Sequence, residues 1–176
     1  MTLLRPPSAD ELIDEDAFDE DEFLPYWAEL WSSGVALAGV VSTLELAGVR
    51  VLELGAGLGL PSLAAALREA DVLATDWAED AVDLLRSNAA RNGIALRVER
   101  VRWDEPEPLV REAPWDLVLG ADLLYEQRNA DQLLYLLPRL GGEVLLADPG
   151  RPFTRTFLAR WRVEQVAEGV HRLRLP

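Results

Sequence analysis

In VLELGAGLGLP, residues 51–61, an apolar run breaks into three alternating glycines, Gly55, Gly57 and Gly59, with Glu53 just ahead. Glycines at this spacing let backbone pass directly beneath a ligand. Spacing separates the ligand classes. The dinucleotide fingerprint G-x-G-x-x-G/A needs a small residue at its sixth position. Counted from Gly55 that position is Leu60, and Gly59 falls one place early. A phosphate-binding P-loop requires Gly-Lys-Ser/Thr, and the chain has no lysine. The remaining pattern, E-x-G-x-G-x-G, suits S-adenosylmethionine. Its glycines admit the methionine part, amides at the following helix start face the carboxylate, and Glu53 is placed for the ammonium group. A tight turn without a ligand is the competing reading.

Other residues add to the donor reading. Asp76 closes the next apolar run, where an acid can accept from ribose hydroxyls. Trp77 follows it and can pack on adenine. Trp103 and Asp104 follow a third run, and a carboxylate there can accept from the adenine amino group. Each alone is equally a cap, a turn or a core residue; together they converge on one ligand.

These residues need a scaffold that brings successive strand ends together. Apolar runs at 50–54, 71–75, 96–101, 116–120 and 143–147 alternate with amphipathic segments at 61–69, 79–92, 129–140 and 152–159. The run at 96–101 alternates as an edge strand does. Residues 162–174 alternate on both sides of Glu168 and Gly169, a hairpin signal. The pattern predicts an α/β fold: a Rossmann-like, doubly wound, mostly parallel seven-stranded sheet with a C-terminal β-hairpin. A helical pattern from residue 26 to 46 precedes it. Residues 1–24 are read as an acidic N-terminal extension, with a short helix expected at 9–15, and residues 25–176 as one domain.

The chain has 176 residues and a net charge of −14. Nine of its 31 acidic residues lie in residues 10–22, DELIDEDAFDEDE, with no basic residue among them. Such a surface argues against nucleic acid, whose phosphates need lysine and arginine, and favours a basic protein or a cationic small molecule. The same run read blandly is a solvated face. Cysteine is absent, which removes disulfides and thiolate metal sites; no metal site is expected. No apolar segment has membrane-spanning length or signal-peptide form, so a cytoplasmic protein, monomeric or weakly oligomeric and without a membrane partner, is expected. The single histidine, His171, falls in the hairpin, which leaves a Ser-His-Asp system without a base.

PYWAELWSSGVALA, VLELGAGLGL, ATDW, RWDE, DLVLGADLLYE and LADPGR occur in order from residue 25 to 151. Together they resemble the class I, seven-β-strand methyltransferases. Within that class the chain is similar to the protein-lysine methyltransferases that include the electron-transfer-flavoprotein β-subunit enzymes and bacterial nicotinamide N-methyltransferase-like proteins. The resemblance implies that Trp31 lines the S-adenosylmethionine pocket, that Gly55, Ala56 and Gly57 underlie the methionine part, and that Asp76 holds the ribose. It implies that Trp103 and Asp104 border the adenine, that Ala121 flanks the cofactor, and that Asp122 and Tyr125 face the methyl acceptor. Asp122 is then expected to attract and orient a cationic acceptor, and Tyr125 to border its channel. A helix cap for Asp122 and simple packing for Tyr125 are the alternatives. The acceptor implied is a lysine of a partner protein; a small amine or pyridine is the alternative substrate, and a non-catalytic cofactor-binding module the alternative class. The stretch after Asp148 is short for an insert that recognises a protein.

Overall fold

The computed structural model describes residues 2–6 and 26–175. The helix expected at 9–15 and the acidic run lie outside the described residues. Seven strands form one sheet: β1 (Arg50–Leu54), β2 (Asp71–Asp76), β3 (Arg97–Arg100), β4 (Leu117–Ala121), β5 (Glu143–Ala147), β6 (Arg162–Ala167) and β7 (Val170–Arg174). Their order is β3-β2-β1-β4-β5-β7-β6. The first five run parallel, and β7 pairs antiparallel with both β5 and β6. The doubly wound sheet, its edge strand β3 and its terminal hairpin all match the sequence reading. Because the order reverses between β1 and β4, the loops leaving those strands diverge and open a crevice at their carboxyl ends.

Strand alternation sets what each face buries. On one face Leu37 and Val41 of α1 (Ser32–Val41) and Ala64 and Ala65 of α2 (Leu60–Leu67) pack over Val51, Val72, Leu119 and Leu145. On that face too, α3 (Glu79–Arg91) sets Val82, Leu85 and Ala89 against Ala74 and Val98. The opposite face carries α4 (Glu107–Arg111), α5 (Gln127–Leu140) and α6 (Thr154–Leu158). Leu109, Leu133, Leu136, Leu140 and Phe157 cluster there with Leu52, Leu54, Val118 and Leu146. Glu53 lies between Leu52 and Leu54 in sequence and so points to the α2 side.

Two elements depart from the sequence reading. The single helical pattern over 26–46 is a 3-10 turn at Tyr26–Ala28 followed by α1, with Trp31 extended between them (φ −71°, ψ 141°). Beyond Val41 the hydroxyls of Ser42 and Thr43 donate back to the Gly39 and Val40 carbonyls, each at 2.7 Å. Such bonds compete with helix continuation. The other is α4, absent from the sequence reading: it is only five residues long and starts between Pro106 and Pro108.

Residues 2–4 lie along α3. Asn92 accepts from the Thr2 amide (2.8 Å) and donates to the Thr2 carbonyl (2.8 Å). Asn88 does the same for Leu4 (2.6 and 3.1 Å). Among the described residues no helix is long and apolar enough to cross a membrane.

Candidate functional site

The glycine loop leaves β1 and is pinned by backbone. The Ala56 amide donates to the Thr75 carbonyl at 2.9 Å, and the Gly59 amide to Ala56 at 2.7 Å. Gly59 stands at the N-terminus of α2 in the left-handed region (φ 73°), and a Cβ there would lie 2.0 Å from Leu85 Cδ1. Its lack of a side chain therefore serves close packing against α3. Gly57 (φ 50°) passes so near Trp27 that a Cβ would sit 3.0 Å from its carbonyl oxygen.

Two buried carboxylates flank this loop. Glu53 is 1% exposed, and its Oε2 accepts from the Ser62 amide at 2.9 Å and from the Ser62 hydroxyl. Burial pushes its carboxyl up to about 8, against the opposing effect of the Ser62 bonds. Asp76 accepts from the Gly57 amide through Oδ2 (2.9 Å) and from the Ala78 amide through Oδ1 (3.0 Å). Burial raises its pKa too, and the amides of Ala78, Gly57 and Trp77 oppose the rise. Each carboxylate is thus buried beside a cavity with its geometry fixed by amides, the setting in which perturbed pKa values accompany function.

That cavity holds about 470 Å³, within the range of small-ligand sites. Every residue assigned from the sequence to the donor or the acceptor lines it: Trp31, Glu53, Gly55, Ala56, Gly57, Gly59, Asp76, Trp77, Trp103, Asp104, Ala121, Asp122 and Tyr125. Asp104 is exposed, and the guanidinium of Arg102 grips it at 3.0 and 2.8 Å, holding its carboxyl below the usual range. The acceptor expected for an adenine amino group is therefore shared with a neighbouring cation.

The far end of the cavity is built from side chains. Asp122 follows β4 with φ 60°, a costly conformation for a residue with a Cβ, held by its amide bond to the Ala147 carbonyl at 2.8 Å. It is no helix cap, because α5 begins at Gln127 with Glu126 at the cap position. Asp122 is 7% exposed, and Arg151 Nε donates to its Oδ1 at 2.7 Å. The Arg151 guanidinium also lies 5.6 Å from the Trp31 ring centroid. Trp31 Nε1 donates to the Tyr26 carbonyl at 2.8 Å. The Tyr26 ring lies 6.2 Å from that of Trp31 and 5.4 Å from that of Tyr125. Burial raises the Tyr125 phenol pKa, and nearby Asn129 donates its side-chain amide to the Leu123 carbonyl at 3.2 Å.

Sequence reasoning missed Ser62, Asn129 and the placement of Arg151. Neither the Glu53–Ser62 bond nor the Asn129–Leu123 bond follows a spacing motif, and Asp122 lies 29 residues from Arg151, so only DPGR carried a signal. Asp148 Oδ1 accepts from the Gly150 and Arg151 amides at 2.8 Å each and from the Thr154 hydroxyl. The turn so formed points Arg151 into the cavity. Asp122, expected to stand open to a cation, already has one. His171 falls in the hairpin as expected, half-buried in β7 and away from the cavity, with Nδ1 buried and unpartnered.

A family model described as lysine methyltransferase matches residues 18–146. The protein N-lysine methyltransferase METTL21A of Danio rerio is 36% identical over 120 residues, covering 64% of this chain and 55% of the relative. The electron transfer flavoprotein beta subunit lysine methyltransferase of Danio rerio is 32% identical over 163 residues, covering 85% of this chain and 57% of the relative. The chain therefore spans little more than half the length of these relatives. Among solved structures, the T. thermophilus 16S rRNA N2 G1207 methyltransferase RsmC, in complex with AdoMet and guanosine, superimposes with a TM-score of 0.65. It is 19% identical, covers 82% of this chain and 43% of its own, and shares the fold.

Proposed function

The chain belongs to the lysine methyltransferase family, and from that premise we propose that it is an S-adenosylmethionine-dependent N-methyltransferase acting on lysine side chains of a partner protein. One observation carries the reading: a single cavity joins an amide-fixed end, with two buried carboxylates, to an aromatic and charged end. In this reading residues 25–176 form the methyltransferase unit, cytoplasmic and monomeric or weakly oligomeric, and residues 1–24 an extension.

The residues fit the methyl donor. Glu53 meets an ammonium group, Asp76 accepts from ribose hydroxyls, and the loop at Gly55, Ala56, Gly57 and Gly59 gives the methionine part its floor. Trp77 and Trp103, with Asp104 at the rim, enclose the adenine, and Ala121 and Trp31 close the sides. When bound, S-adenosylmethionine supplies a methyl group on a sulfonium, which an amine displaces in line. The leaving group departs neutral, so the protein's main contribution is alignment, worth up to about 7–11 kcal/mol in well-oriented systems. Tyr125 and the ion-paired Asp122 border the acceptor nitrogen, whose approach passes Tyr26 and Trp31.

The test is to incubate the protein with methyl-labelled S-adenosylmethionine and a lysate of its own cells, then hydrolyse the labelled protein. Label in methyl-lysine supports the reading. Label confined to small molecules moves the acceptor to a free amine or pyridine.

A further inference from the structure

Within the proposed reaction, we infer that Arg151 is a specificity residue that holds the acceptor cation's seat and admits the acceptor as a neutral amine. The inference rests on the function proposed above and on the geometry around one guanidinium. An alkylammonium entering this end would seek a carboxylate and an aromatic face. Arg151 already uses both: its Nε lies 2.7 Å from Asp122 Oδ1, and its Cζ 5.6 Å from the Trp31 centroid. The Asp122 side chain is only 5% exposed and that of Arg151 34%, so the pair is poorly screened and the carboxylate has its charge met inside the cavity wall.

The seat is built into the fold. Asp148, 3% exposed, fixes the turn by accepting hydrogen bonds from the Gly150 and Arg151 amides, and the Gly150 turn (φ 94°) follows Pro149. The charges of Asp122 and Asp148 both favour the guanidinium. A protonated lysine would therefore add a second positive charge beside a resident one and find Asp122 already compensated. A neutral amine meets no such opposition, and only the neutral amine carries the lone pair that forms the N–C bond. As that bond forms the C–S bond breaks, its electron pair returns to sulfur, and the product's extra proton leaves for solvent.

The test uses n-butylamine hydrochloride as a lysine side-chain probe at about pH 7.5, where an alkylamine is overwhelmingly protonated. It is titrated calorimetrically into the full chain saturated with S-adenosylhomocysteine. Wild type should bind the probe weakly, and Arg151→Gln and Arg151→Met should each bind it at least about tenfold more tightly, because an unpaired buried carboxylate recruits a cation. Adding Asp122→Asn to either variant should abolish the gain, and uncharged 1-butanol should show none. A merely structural role for Arg151 would not create affinity. If both variants bind S-adenosylhomocysteine like wild type yet gain nothing for butylammonium, or gain equally for butanol, the inference is overturned alone. If wild type itself fails to bind S-adenosylhomocysteine, the cofactor reading falls and the inference with it.

Discussion

At the donor end of the cavity, Gly57 and Ala78 amides fix Asp76, the Ser62 amide fixes Glu53, and Leu85 fills the space that Gly59 leaves. At the acceptor end, side chains also meet side chains, Arg151 on Asp122 and Tyr26 on Trp31 and Tyr125, over backbone held at Asp122 and by Asp148. Backbone contacts hardly depend on which side chains surround them, whereas side-chain contacts change with every substitution. One end is thus suited to an invariant ligand and the other to whichever acceptor a relative takes. The shape of the fold explains the division, since β1 and β2 deliver the first end and the loops after β4 and β5, with the segment before α1, the second.

The contrast can be broken most forcibly at Gly59. Gly59→Val places a branched side chain at φ 73° and into Leu85. It should lower unfolding free energy by about 3 kcal/mol or more, read by urea denaturation, with the acceptor end untouched by the direct clash. Asp76→Ala should lower stability by about 1–3 kcal/mol, because the Gly57 and Ala78 amides lose their acceptor, and should weaken S-adenosylmethionine about 100-fold, because two ribose hydrogen bonds are lost. Equilibrium dialysis would detect this, and unchanged affinity would remove Asp76 from the site.

Glu53 supplies a pH test of the same contrast. Its folded value, about 8, stands above its ordinary 4.5. A raised carboxyl contributes stability in full below about pH 4.5 and loses it as pH rises through about 8. The ligand-free protein should therefore lose on the order of 1 kcal/mol per pH unit from this group between those values, and Asp76 shifts in the same direction. Denaturation midpoints between about pH 5 and pH 9 should fall less steeply in Glu53→Gln. An equal slope in the variant would contradict a buried, protonated Glu53. The smallest effect is expected at Tyr125→Phe, which removes only a hydroxyl: methyl transfer should fall about threefold, equivalent to one modest hydrogen bond, with cofactor affinity unchanged.

How much of this was legible in the sequence follows the same line. The donor end is local: Glu53, the glycines and Asp76 each stand at a strand end, so composition and spacing exposed them together. β1 and β5 were readable to the residue because their β-rich runs stop at Gly55 and at Asp148. The acceptor end joins segments far apart in the chain. Nothing near Asp122 announces Arg151, and nothing in the loop names Ser62 as the partner of Glu53. The end of α1 was misplaced because Ser42 and Thr43 divert hydrogen bonds to Gly39 and Val40, a choice that hydrophobic pattern does not encode. The left-handed Asp122 was hidden too, since its conformation is imposed by the strand beside it.

The most direct measurement is a calorimetric titration of S-adenosylmethionine into the full chain. The account predicts saturable binding at one site per chain, displaced by S-adenosylhomocysteine. An absence of binding at millimolar ligand would contradict it.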